Sequence, residues 1–167
     1  MPLYHQGKGD PGSPESINPT LFACKIVSDL IEDPTTGKKY LVGEKQHNFL
    51  TSRIKCSRYG GHLPEPRNEH ENNFLDKLTP NSNKFFLGMT DAETEGDWVW
   101  RTDSTSVTWY NWKVWGDDRG AEPNGGQEEN CVVMLKLTER GESSKWGDRP
   151  CSDTATVVCE VPGGKSN

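Results

Sequence analysis

No apolar run in the chain approaches the roughly 18 residues that a membrane-crossing helix needs, so no membrane span is expected. Clustered positive charge is missing as well. The 19 Lys and Arg are scattered among 25 Asp and Glu, for a net charge of −6, whereas neutralising phosphates takes grouped cations. Nucleic acid is therefore not an expected partner. The five cysteines include no CxxC pair, and no His follows His70, which argues against zinc. Catalytic signatures are absent too, with neither GxSxG nor HExxH present. Glu128 and Glu129 imitate a carboxylate pair, but adjacent residues do not converge on one glycosidic bond. A binding protein, not an enzyme, is the expectation. The chain also lacks heptads and a Gly-X-Y period, which excludes a coiled-coil or collagen arm.

What is present fits one modest domain. With 167 residues and 31% hydrophobic content, the chain can bury a single small core anchored by six Trp, five Phe and four Tyr. Residues 1–21 begin with a polar stretch of four prolines and three glycines, read as a flexible leader and not as a signal peptide. The domain itself is expected over 22–161, followed by a short tail over 162–167. Small cores of this kind lean on covalent staples. Two disulfides plus one leftover thiol account for the five cysteines, but spacing alone leaves three pairings of Cys56, Cys131, Cys151 and Cys159 open.

Patterning predicts a turn at Pro34 to Gly37 and a strand from Lys38 to Val42. A helix follows from Gln46 to Tyr59, with Phe49, Leu50, Ile54 and Cys56 as its apolar stripe and Gly60-Gly61 as its end. A second helix is expected from Asn68 to Leu78, with an acidic first turn and a core stripe of Phe74, Leu75 and Leu78. Strands then read from Phe85 to Met89, Trp98 to Trp100, Cys131 to Leu137 and Thr156 to Val161. Between Thr108 and Gln127 runs a polar loop of about twenty residues carrying Trp109, Trp112 and Trp115, a length that marks function in a compact domain. Helices followed by short strands give an α+β domain.

The stretch from Glu122 to Asp148 gathers Glu122, Asn124, Glu128, Glu129, Asn130 and Asp148 around a proline and a glycine pair. Carboxylates and side-chain amides are the donors of a hard cation, and Ca²⁺ takes six to eight such oxygens. Soft or imidazole-loving metals would want Cys or His there, and no His lies beyond His70.

The ordered motifs CSRYGGHLPEPRNEHENNFL (Cys56 to Leu75), FFLGMTD (Phe85 to Asp91), EGDWVW (Glu95 to Trp100), EPN (Glu122 to Asn124), ENC (Glu129 to Cys131), WGDRPC (Trp146 to Cys151) and VVCE (Val157 to Glu160) resemble the C-type lectin-like domain family. The resemblance covers about Lys38 to Val161. It implies the C-type lectin fold: two helices flanking small antiparallel sheets, with a long calcium-binding loop region. It also implies Cys56–Cys159 and Cys131–Cys151 bridges and a cis Pro123. Long-form members begin with an extra cysteine pair, but here Cys24 has no partner nearby. In an oxidising compartment Cys24 would bridge two chains into a homodimer or be buried or capped.

Carried over residue by residue, the resemblance implies a principal Ca²⁺ site at Glu122, Asn124, Glu129 and Asp148. The same four residues would bind carbohydrate, since the ion accepts vicinal sugar hydroxyls while the acid and amide hydrogen-bond them. The EPN order is the family pattern for mannose, N-acetylglucosamine, glucose and fucose. A second ion would use Asp91, Glu95 and Asn130 with Glu129, although Gly125 stands where that site often has Asp or Asn. One departure concerns the principal site: the family's WND triplet reads Trp146-Gly147-Asp148, so an amide ligand and sugar donor is missing. Weaker or altered sugar affinity follows, with Glu128, Asp117 or Asp118 as candidate replacements. The implied role is calcium-dependent recognition of glycans or glycoconjugates on cell surfaces by a secreted protein. The competing reading is a protein-binding module whose loops the ion merely shapes.

Overall fold

The computed structural model describes residues 30–78, 84–135 and 144–162. Its strands are β1 (Ile31–Glu32), β2 (Lys39–His47), β3 (Phe85–Thr90), β4 (Val99–Trp100), β5 (Cys131–Leu135), β6 (Lys145–Arg149) and β7 (Ala155–Val161), with helices α1 (Phe49–Ser57) and α2 (Glu69–Asp76) between β2 and β3. Among the described residues these strands form one connected sheet in the order β1-β2-β7-β3-β5-β6, with β4 also paired to β3. Neighbours run antiparallel except β3 and β7, which meet in parallel at Phe85 and Thr156. The α+β architecture is as expected. The separate small antiparallel sheets are instead joined through that parallel contact.

Both helices begin at asparagine caps. The Asn48 side chain accepts from the Thr51 amide at 2.9 Å, and the Asn68 side chain accepts from the Glu71 amide at 3.0 Å, each satisfying a donor that a helix start leaves orphaned. The first helix is shorter than predicted because β2 continues through His47, paired with Ala155. Its buried face also differs. Leu50 and Ile54 are 61% and 46% exposed, while Phe49, Ser52 and Cys56 turn inward. In α2 the inward residues are Glu71, Asn72 and Leu75, with Phe74 and Leu78 only partly covered. Glu71 is kept buried by Lys38 Nζ at 3.0 Å and by the Arg67 amide at 3.0 Å.

The sheet carries apolar side chains on both faces, which is why β3 and β5 read as unbroken hydrophobic runs. Val132, Met134, Leu87, Met89 and Val158 join Trp98, Trp100 and Trp146 in one cluster. Phe86, Val133 and Val157 join Phe49 and both half-cystines of Cys56–Cys159 in the other. That alternation along β5 and β7 is the period of two expected of strands. The disulfides are Cys56–Cys159 and Cys131–Cys151, the pairing that the resemblance implied. Cys24, residues 1–21, the last residues of the predicted β5 strand and all of the tail but Pro162 lie outside the described residues.

Trp146 is the hub that places the loop region. It is fully buried, donates from Nε1 to Asn72 Oδ1 at 2.8 Å, and meets Trp100, Trp109 and Trp112 edge-on. Main-chain bonds from Trp146 N to Asn111 O and from Lys113 N to Trp146 O, both 2.8 Å, lay residues 111–113 along β6. Trp112 thus packs on Trp146 and holds this part of the loop against β6.

Candidate metal centre

From Lys113 the chain makes a hairpin-like excursion and returns. Val114 bridges Ala121, Trp115 N donates to Gly120 O at 2.7 Å, and Glu122 N donates to Lys113 O at 2.8 Å. The last bond delivers Glu122 beside β6. The Glu122–Pro123 peptide bond is cis. After it, Asp148 on β6 accepts from the Asn124 amide at 3.0 and 3.1 Å and from the Gly125 amide at 2.7 Å. One carboxylate therefore folds the EPN segment onto the strand. A short 3₁₀ turn, Gly126–Glu128, then brings Glu129 back across the loop. Gly125 is what permits this crossing, because a Cβ there would overlap the Glu129 side chain.

The outcome is a cluster in which Glu122, Glu129 and Asp148 each present a carboxylate oxygen within 4.8 Å of the other two. Glu122 is 5% exposed and Asp148 1% exposed. Glu122 Oε1 accepts from Trp115 Nε1 at 2.8 Å, whereas Glu122 Oε2 is buried without a hydrogen-bond partner. A buried carboxylate oxygen with nothing donating to it is costly unless a cation completes its shell, so the donor set fits a hard divalent ion such as Ca²⁺. Burial pushes the Glu122 carboxyl above its ordinary pKa, and Asp148 adds to the rise, while Trp115 and Arg149 pull it back. Glu129 is raised by burial and by Asp148, against Arg149. Such frustration is what a bound cation relieves.

Asn124 reaches the rim of this cluster by its main chain, and its Nδ2 lies 3.4 Å from Arg119 O. Asp91, Glu95 and Asn130 are placed differently. Asp91 is buried at the end of β3, with Oδ2 accepting from the Gly96 amide at 2.9 Å and Oδ1 unpartnered. Its pKa is raised by burial and by Asp148, against the Gly96 hydrogen bond. Glu95 is exposed, and Asn130 Nδ2 donates to Gln127 O at 3.0 Å. Among the described residues, Asp91 and Glu95 do not join a third close carboxylate. Of the candidate replacements for the missing amide, Asp117 is committed to Arg119, whose guanidinium binds both of its oxygens and holds its pKa at about 2.

Two contributors escaped sequence reading. Trp115 holds Glu122 Oε1 and carries Arg119 over its ring at 3.9 Å, so this loop tryptophan orients a site residue. Arg149 stands beside Glu122 and Glu129. The alternation of β6 puts residues 147 and 149 on one face, but nothing in it says which loop returns opposite them.

A family model described as the lectin C-type domain matches residues 45–161. Human C-type lectin domain family 3 member A is 35% identical over 127 residues, which make up 74% of this chain and 59% of that protein, so the chain spans less than two thirds of that relative. The cow C-type carbohydrate-recognition domain of CD23, solved in the presence of GlcNAc2Man3 oligosaccharide, is similar at a TM-score of 0.60 and 33% identity, covering 74% of this chain and 86% of that one. The C-type lectin domain of murine dendritic cell inhibitory receptor 2, solved in complex with an N-glycan, gives a TM-score of 0.63 at 28% identity, over 74% of this chain and 90% of that one.

Proposed function

The chain belongs to the C-type lectin domain family, and from that premise we propose that it binds mannose-, fucose- or N-acetylglucosamine-type glycans through a Ca²⁺ ion held by Glu122, Asn124, Glu129 and Asp148. The observation that carries the reading is the convergence of three carboxylates on one point with a buried, unpartnered Glu122 Oε2 among them. Similar structures at 28% and 33% identity, one solved in complex with an N-glycan and one in the presence of an oligosaccharide, support the ligand class. Bound there, Ca²⁺ supplies coordination positions to a pair of vicinal sugar hydroxyls. The side chains of Glu122 and Asn124 accept from and donate to those hydroxyls, and Trp115 keeps Glu122 oriented.

A second ion would draw on Asp91, Glu95 and Asn130 with Glu129, and would appear as a second resolved step in a calcium titration. The domain over 22–161 works outside the cell, its disulfides suiting an oxidising compartment. Pairing of two chains through Cys24 would multiply weak single-site contacts.

A glycan array probed with and without Ca²⁺ tests the function. Binding to mannose-type glycans that vanishes on chelation is expected. Complexes that free mannose leaves intact would favour recognition of a protein surface instead.

A further inference from the structure

Arg149 Nη1 lies 3.5 Å from Glu122 Oε1 and 3.8 Å from Glu129 Oε2, so a cation belonging to the protein faces two of the three clustered carboxylates. Both separations exceed the roughly 2.7–2.9 Å of a charge-assisted hydrogen bond, which means attraction without locking. The same Nη1 donates to the main-chain oxygen of Asp148, and this bond tethers the guanidinium at the site.

Gly147 makes room for it. Residues 147 and 149 are two apart on β6 and share a face. A Cβ at 147 would sit 3.2 Å from Arg149 Nη1, 3.4 Å from Glu122 Cδ and 3.0 Å from Leu135 Cδ1. The position at which this chain departs from the WND pattern is thus the one against which the arginine packs.

We propose that Arg149 is a tethered counter-cation that competes with Ca²⁺ for Glu122 and Glu129 and so sets the calcium affinity of the site. The inference rests on the calcium reading above and adds a residue outside the four ligands. The guanidinium answers an arriving ion by its position. It either swings outward when a divalent ion arrives or stays and repels it. Its side chain is 24% exposed, which leaves a path to solvent. One arginine charge offsets part of the charge on the three carboxylates when calcium is scarce, and the divalent ion offsets more of it when calcium is abundant.

Calorimetric Ca²⁺ titration and thermal melts in chelator, run on the full chain and on Arg149→Gln and Arg149→Lys, test this. Arg149→Gln is expected to bind Ca²⁺ about tenfold more tightly and to melt at a lower temperature in chelator. Arg149→Lys, which keeps a charge on a compact head, is expected to fall between the two and guards against a folding defect in the Gln variant. If the parent binds Ca²⁺ and Arg149→Gln binds it no more tightly, the counter-cation is overturned while the calcium site stands. If neither protein binds Ca²⁺, both readings fall together.

Discussion

The carboxylate of Asp148 accepts from the backbone amide of Asn124, 24 residues earlier in the chain, at 3.0 and 3.1 Å. A side chain that folds the loop and also borders the acidic cluster has two separable jobs. Asp148→Asn keeps an acceptor oxygen for the loop amides and loses the charge. Asp148→Ala loses both. The Asn variant is expected to remain near parental stability while Ca²⁺ affinity falls by about tenfold or more. The Ala variant is expected to lose about 2 kcal/mol as well, because the Asn124 and Gly125 amides are left without a partner. Urea unfolding alongside calcium calorimetry separates the two, and equal destabilisation by both variants would refute the dual role.

Gly147→Asn restores the family's triplet but meets a crowded face. With Leu135 Cδ1 at 3.0 Å and Arg149 Nη1 at 3.2 Å from a Cβ there, the new side chain must displace the arginine. The single variant is expected to lose about 1 kcal/mol of stability with little change in mannose affinity. Combined with Arg149→Gln it is expected to gain about fivefold or more in mannose affinity, as one directed hydrogen bond to sugar is recovered. Equal gains in the single and double variants would show that Arg149 does not obstruct position 147.

Acid should act on the site with a sign that calcium reverses. Burial and the neighbouring Asp148 raise the Glu122 and Glu129 carboxyls above their ordinary values. In chelator the folded form therefore holds more protons than the unfolded chain between the raised values and roughly pH 4.3, so this cluster's contribution rises as pH falls from 7 through that window. In excess Ca²⁺ protons compete with the ion, and stability falls over the same window. Thermal melts from pH 7 to about 5, with and without Ca²⁺, read both signs. Comparison with Glu129→Gln isolates the cluster, and parallel slopes in the two conditions would contradict it.

The convergence of Glu122, Glu129 and Asp148 was legible because EPN, ENC and WGD stand in a fixed order, and the disulfides followed from the same resemblance. Strand β6 was harder to read, since Lys-Trp-Gly-Asp-Arg holds a glycine and no β-branched residue, and its strand character comes from pairing with β5. The α1 stripe misled for a related reason. Leu50 and Ile54 are apolar at helical spacing, yet the helix packs on the sheet through Phe49, Ser52 and Cys56, with Cys56 drawn in by its bridge to Cys159. Arg149 was invisible because nothing local in Asp-Arg-Pro-Cys says that Glu122 lies across from it. Contacts set by a returning loop belong to tertiary packing, and local periodicity does not encode them.

Outside the acidic cluster, Asp33 offers a pH response of the opposite kind. Its carboxylate is buried and takes the Thr35 amide at 3.0 Å, Thr36 Oγ1 at 2.7 Å and His70 Nε2 at 3.0 Å. Burial alone would raise its pKa, but these hydrogen bonds and the His70 charge outweigh it and hold the group below its ordinary value. A depressed folded-state pKa means that the stabilisation is complete above the unfolded value of roughly 3.9 and is lost as pH falls through the folded value. Asp33→Asn is expected to cost about 1 kcal/mol at pH 6, where the parent keeps its charged acceptor. That difference should shrink toward zero as pH falls through the lowered folded-state value, where the parent carboxylate takes up its proton. Urea unfolding of both proteins across pH 2.5 to 6 measures it, and a gap that stays constant over this range would show that Asp33 stabilises the turn by shape and not by charge.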